Sequence, residues 1–404
     1  MRIDWWLTGL CSGRAFSQIV TMTYAAAIPV LQKEWNMSAA QAGAISSGFQ
    51  IGYGISLLFV STFADRFGAK RLYLWSLFTG ALFAVGFALY ARSYLSALVL
   101  YPLVALFIGG SYTTGLMILA DRYPVHRRGM ATGFYIASSS VGYILSLVLS
   151  GISLPIGGYK LSFLVTCLAT TLGAGFSCVT LLKTTVPVTP RYTQQSFRKE
   201  VLSNKPAVLL ISAYTCHCWE LLGMWAWTPA FLTACLVQRG ESGVDAAGLG
   251  AYLVASFHAA GVMASFSMGS LSDRLGRTRV IMVLAGVSTL CSLIFGWSMA
   301  MNFWLVMALG VLYAFMALGD SPVLSAALTE VVTPSYLGSA FGIRSVLGFG
   351  AGAVSPVVFG AILDWTNPQG AGHAYYATWG WAFMSLGLPG FGAVWAAHKL
   401  RRNR

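Results

Sequence analysis

The chain has 404 residues, 57% of them hydrophobic and only 9% charged, with a formal net charge of +13. So little charge excludes an ordinary soluble domain, which needs charge to solvate its surface. A mean hydropathy of +0.70 points instead to a chain that lives in a bilayer.

Crossing a hydrocarbon core of about 30 Å as a helix takes about 20 apolar residues. Twelve such runs follow one another, over 5–31, 40–63, 71–91, 94–119, 129–151, 159–182, 207–235, 246–270, 279–299, 302–328, 338–363 and 375–398. Lipid offers no partner to backbone N–H and C=O groups, so these runs are expected to be helices, numbered here spans 1–12. A membrane barrel would show short alternating strands, whereas these runs are continuous. The first run is long and lacks a small-residue cleavage site, so it reads as span 1 and not as a cleaved leader. Seven cysteines, at 11, 167, 178, 216, 218, 235 and 291, fall mostly inside spans, where thiols act as small apolar groups.

An even number of spans puts both termini on one side. Nineteen Lys and Arg lie on that side, against four on the other (Lys33, Arg92, Lys160 and Arg239). This bias predicts cytoplasmic termini and a multi-pass protein of the plasma (inner) membrane. The basic residues are accounted for by topology and by contact with lipid headgroups, and no nucleic-acid partner is expected.

The chain repeats itself. The loop after span 2 reads Asp65-Arg66-Phe67-Gly68-Ala69-Lys70-Arg71, and the loop after span 8 reads Asp273-Arg274-Leu275-Gly276-Arg277-Thr278-Arg279. Gly129-Met130-Ala131-Thr132-Gly133-Phe134 after span 4 is answered by Gly338-Ser339-Ala340-Phe341-Gly342 after span 10. The offsets, 208 and 209 residues, are nearly equal, which implies a duplicated six-span half. The expected domains are therefore 1–182 and 207–404, joined by a polar linker at 183–206.

With duplicated D-R-x-G loops among twelve spans, the chain resembles the major facilitator superfamily of secondary transporters over nearly its whole length. The second copy fits the family's loop from Gly269 through Asp273, Arg274, Gly276 and Arg277. The first departs from it at Ser61 and Ala69 but keeps Asp65, Arg66, Gly68, Lys70 and Arg71. The resemblance implies an all-α membrane fold of two pseudo-symmetric six-helix bundles. It also implies alternating access of one central site, and a latch formed by these loops on the cytoplasmic side in the outward-open state. No enzymatic activity and no cofactor are expected, and the working unit is expected to be a monomer.

Four charged residues lie deep in spans: Arg14, Glu220, Asp320 and Arg344. Such residues are costly in lipid and mark pathways or paired contacts. By the resemblance, spans 1, 4, 7 and 10 line the cavity, which puts Arg14, Glu220 and Asp320 on lining helices. Arg14 suits a carboxylate anchor, because a guanidinium is a planar fork of donors. Its other reading is a structural pair with Glu220 or Asp320. Glu220, with His217 one turn before it on the same face, suits proton coupling. Asp320 and Arg344 lie at similar depths, so a mutual ion pair is the plainer expectation and a second anion contact at Arg344 the sharper one.

Tyr24, Trp227 and Tyr313 lie on lining spans and are candidate cavity walls, with helix packing as the plainer reading. His258 reads as a core histidine. Cys216-His217-Cys218 with His258, Met263 and Met268 suggests a soft metal such as Cu(I), but neighbouring helical residues point apart, so no metal site is assigned. There is no Walker-type G-x-x-x-x-G-K-[ST]. Span 5 also lacks the Gly-Pro pattern of the drug/proton antiporter branch. The sequence therefore favours a small organic anion as substrate, coupled to H⁺ or to anion exchange. Export of lipophilic or cationic compounds, copper transport and a non-transporting receptor are the alternatives.

Overall fold

The computed structural model describes residues 4–184, 201–333, 336–368 and 376–402, without side-chain detail at 61, 62, 65, 125, 126, 338 and 339. Residues 185–200, most of the expected linker, lie outside the described residues. Among those described the chain is helical, with no strand. Nine helices among the described residues are long and apolar enough to cross a membrane, and one of them, Arg127–Leu181, carries two spans. That helix turns back at Gly157 and at Gly158, whose φ of +63° is open to glycine at little cost. Spans 1 and 12 are each built from two shorter helices, which completes the twelve.

The sequence predicts span 1 as one run. The structure divides it into Trp5–Ser17, a 3₁₀ turn Ile19–Thr21 and Thr23–Glu34. Carbonyls freed by such a break need partners when no water is at hand. Tyr101 of span 4 supplies one, its hydroxyl lying 2.7 Å from Thr21 O and 3.2 Å from Val20 O. Span 12 breaks at Pro389, which has no N–H to offer a helix, between Gly380–Gly387 and Gly390–Arg402.

The duplication is visible in the backbone. Gly68 and Gly276, 208 positions apart, link spans 2–3 and 8–9 with φ/ψ of 88°/135° and 90°/135°. A side chain at such positive φ is strained, so both loops call for glycine.

The two halves meet at the ends of their spans away from the termini. Gly43 of span 2 lies against the Pro356 carbonyl of span 11, and Gly360 of span 11 against that of Ala39. Gly151 of span 5 and Gly248 of span 8 make the matching contact on the other flank. Small residues permit this close approach. Near the terminus-bearing ends of the same helices, Gly133, Gly269 and Gly342 face open space. The close glycine contacts between the halves therefore lie on the side away from the termini.

Candidate functional site

Arg14 sits in the first helix of span 1, one turn before the break, and is 1% exposed. Its Nε donates to Ser139 Oγ (2.8 Å), its Nη1 to Ser111 Oγ (2.8 Å) and its Nη2 to Tyr53 OH (3.0 Å). Ser111 spends its own proton on Ile108 O, which leaves its oxygen free to accept. The guanidinium carbon also lies over the rings of Tyr112 (5.3 Å) and Tyr135 (5.6 Å). These neutral partners from spans 2, 4 and 5 fix the fork's direction without neutralising its charge. Among the described residues, no salt bridge joins Arg14 to Glu220 or Asp320.

Arg344 enters from the other half, on span 11. Its Nη1 donates to Ser325 Oγ at 2.6 Å, and its guanidinium lies over the rings of Tyr214 (4.0 Å) and Phe341 (4.6 Å). Its Nε is buried with no hydrogen-bond partner among the described residues. The expected pair with Asp320 is not the arrangement found, because Asp320 meets another residue. Tyr112 of span 4 turns its ring to Arg14. Beside it, the ring of Tyr53 packs on Phe349 of span 11 at 5.6 Å. Two guanidiniums, one from each half, thus flank a set of tyrosines between the bundles.

The acids sit elsewhere. Asp320 Oδ1 is 2.7 Å from His217 Nδ1, a salt bridge when the imidazole is protonated, and both side chains are buried. Glu220 accepts from Ser288 Oγ of span 9 at 2.8 Å and has Tyr313 beside it. His217 and Glu220 do share span 7, one turn apart, but they engage spans 10 and 9 inside the C-terminal bundle.

The three candidate wall aromatics are buried in packed surroundings. Tyr24 OH donates to Ala42 O (3.1 Å), and Trp227 Nε1 donates to Pro356 O (3.0 Å) with its ring stacked on Phe359. Tyr313 OH donates to Ser292 Oγ at 3.1 Å. Of the three, Tyr24 borders a small cavity between the halves, with Thr21, Gln50 and Trp225.

In the second loop, Asp273 pairs with Arg277, whose Nε also donates to Glu330 Oε1 of span 10 at 2.9 Å. Arg274 and Gly276 are exposed. In the first loop, Lys70 Nζ donates to Thr184 O at 2.8 Å, Arg66 and Arg71 are exposed, and the side chain of Asp65 lies outside the described residues. Among the described residues, no group of three or more His, Cys, Asp or Glu could hold a metal ion.

The sequence points to the arginines but not to the groups that aim them: the hydroxyls of Tyr53, Ser111 and Ser139 and the ring of Tyr112 at Arg14, and the hydroxyl of Ser325 at Arg344. A signal existed, since Ser111 and Tyr112 sit mid-way along a lining span and Ser138–Ser140 is a hydroxyl run in an apolar helix. Nor does the sequence point to Asp364, at the far end of span 11. Its two oxygens accept from the backbone N–H groups of Ala39 (2.9 Å) and Ala40 (2.8 Å), the first residues of span 2. Tyr376 OH donates to the same carboxylate at 3.2 Å and accepts from Gln32 Nε2 at 2.9 Å. One acid thus caps a helix of the opposite half, where the helix dipole favours a negative charge.

The family model of the Major Facilitator Superfamily matches residues 10–242 and 236–404. A Bacillus subtilis protein named for niacin/nicotinamide transport is 22% identical over 346 residues, covering 83% of this chain and 82% of its own. A Cupriavidus necator protein named for sulfoacetate transport is 26% identical over 388 residues, covering 89% and 86%. A bacterial homologue of the human lysosomal transporter Spinster, solved inward-facing and occupied, superposes with a TM-score of 0.74 at 17% identity, covering 99% of this chain and 97% of its own. That likeness concerns the fold. A family model spanning both halves, on a duplicated twelve-span fold, makes this chain a member of the Major Facilitator Superfamily of secondary transporters.

Proposed function

We propose that the protein moves a small organic anion across the plasma membrane, with its carboxylate held between Arg14 and Arg344 and with H⁺ as the coupling ion. The observation that carries this reading is the pair of guanidiniums whose partners are hydroxyls and rings, while the acids are engaged with His217 and Ser288. A buried charge normally has a counter-charge, and an anionic substrate supplies one. An arginine fork reads a carboxylate bidentately, and hydroxyls beside it can complete the oxygen's shell. Two forks from opposite halves also suit alternating access, because closing the cleft brings both onto one ligand. Relatives named for niacin and sulfoacetate transport accord with an anionic cargo. With the termini in the cytoplasm, as the basic bias predicts, the glycine contacts between the halves lie toward the outer side.

Glu220 and the His217–Asp320 pair are the proposed proton carriers. They sit inside one bundle, where a proton gained or lost changes how spans 7, 9 and 10 pack. Glu220→Gln is therefore expected to keep carboxylate binding and carboxylate exchange but to lose gradient-driven accumulation. In proteoliposomes, one pH unit should drive about tenfold accumulation in the wild type for one proton per cycle, and none in the variant. Equal accumulation in both would remove Glu220 from the coupling.

Asp65 and Asp273 are the proposed latch on the terminus-bearing side, holding that side shut when the far side opens. Here Asp273 is turned to Arg277 within its own loop, as befits a released latch. Asp273→Asn should lower transport severalfold with normal expression and normal binding. Undiminished transport would reduce the loop to a turn.

A further inference from the structure

Beyond the arginines, three rings from both halves converge: Tyr143 of span 5, Trp225 of span 7 and His258 of span 8. Tyr143 and Trp225 centroids are 5.3 Å apart, Tyr143 and His258 5.9 Å, and Trp225 and His258 5.3 Å. Their planes are inclined at 61°, 65° and 45°, so the faces are not sealed by stacking on one another. The cluster continues the anion site, because Arg14 and Ser139 hydrogen-bond to each other at 2.8 Å, and Gln18 and Tyr143 follow them by one helical turn on spans 1 and 5. Trp225 also forms a wall shared by two small cavities, about 10 and 30 Å³, one shared with His258 and Phe257, the other with Thr21 and Gln50.

Three polar atoms in or beside this cluster lack partners among the described residues. Trp225 Nε1, His258 Nδ1 and Gln18 Nε2 are buried and make no hydrogen bond to the protein. His258 is 3% exposed and Gln18 1%, and Gln18 packs on Gly142, next to Tyr143. An indole N–H and an amide NH₂ can only donate, so what they need is an acceptor.

We infer that this cluster is the second recognition end of the cavity, taking the flat ring of an aromatic carboxylate that bears a hydrogen-bond acceptor, while its carboxylate reaches Arg14. The inference rests on the anion reading above and narrows it. Inclined aromatic walls favour a planar guest held edge-to-face and offset, and an aliphatic dicarboxylate would leave them unused. The distal donors would then select ring-substituted acids over plain ones.

The test is calorimetric titration of the full chain in detergent with 4-hydroxybenzoate, benzoate and succinate, on wild type, Trp225→Leu and Trp225→Phe. The wild type should bind 4-hydroxybenzoate at least about tenfold more tightly than succinate. Trp225→Leu should erase that preference while leaving succinate unchanged. Trp225→Phe keeps a ring but loses the N–H, so it should hold benzoate and lose the advantage of the hydroxyl. If the wild type binds all three alike, or either variant weakens all three equally, the cluster is helix packing and the inference is overturned, with the anion site intact. If no carboxylate binds the wild type at all, the anion reading itself fails and takes this inference with it.

Discussion

Arg14→Gln is expected to abolish useful carboxylate binding while leaving the bundles assembled. Losing a charge-assisted, bidentate contact costs about 1.5–3 kcal/mol, or roughly 10- to 100-fold in affinity. Stability should change far less. The wild type carries a buried cation against neutral partners, Ser111, Ser139 and Tyr53, and removing that charge offsets the loss of three hydrogen bonds. Arg14→Lys should fall between the two, because an ammonium keeps the charge but not the fork. Thermal unfolding with and without carboxylate separates these cases. The expected pattern is a variant that melts near the wild type yet is no longer stabilised by ligand. A variant that melts far lower, while its residual folded fraction still binds, would make Arg14 a structural residue.

The second large effect lies on the opposite face. Asp364→Asn is expected to release the far side of the cleft, shifting the protein toward a state open there. Aspartate accepts two backbone N–H bonds from Ala39 and Ala40, whereas the amide offers one acceptor and no charge. Losing one charge-assisted bond and the interaction with the helix dipole is worth about 2–3 kcal/mol, enough to raise the minor state roughly 30- to 100-fold. Gly43 and Gly360 hold spans 2 and 11 together at the same place, so opening separates one continuous seam. Spin labels at the exposed positions 92 and 241, one on each half, give the readout as a distance distribution. A new long component in the variant is expected. An unchanged distribution would leave Asp364 as a local cap with no part in gating.

Much of this molecule is legible in its sequence, because a bilayer enforces helices and the duplicated loops mark the two halves. The breaks are less so. Pro389 announces the one in span 12, whereas the break in span 1 depends on Tyr101, 80 residues away, offering a hydroxyl to carbonyls that a helix would have kept. The charged residues were visible as a class, since each interrupts an apolar run. Their partners were not, because depth along a span says nothing of direction around it. Asp320 and Arg344 share a depth, yet one turns to His217 and the other to Ser325 and two aromatic rings. Glu220 and His217 share a helical face, yet they serve different neighbouring helices. Asp364 gave no signal, since an acid at the end of a span reads as ordinary topology until a helix of the other half is placed beneath it.

The central claim is that two arginines, one from each half, hold an anionic cargo, and uptake into proteoliposomes tests it most directly. Labelled benzoate, succinate and a lipophilic cation would be offered to wild type, Arg14→Gln and Arg344→Gln under an imposed proton gradient. The account predicts saturable uptake of at least one carboxylate by the wild type, near-complete loss with Arg14→Gln, a marked fall with Arg344→Gln, and no uptake of the cation. Uptake of the cation alone, surviving both substitutions, would contradict it and give the cavity to an exporter of lipophilic cations.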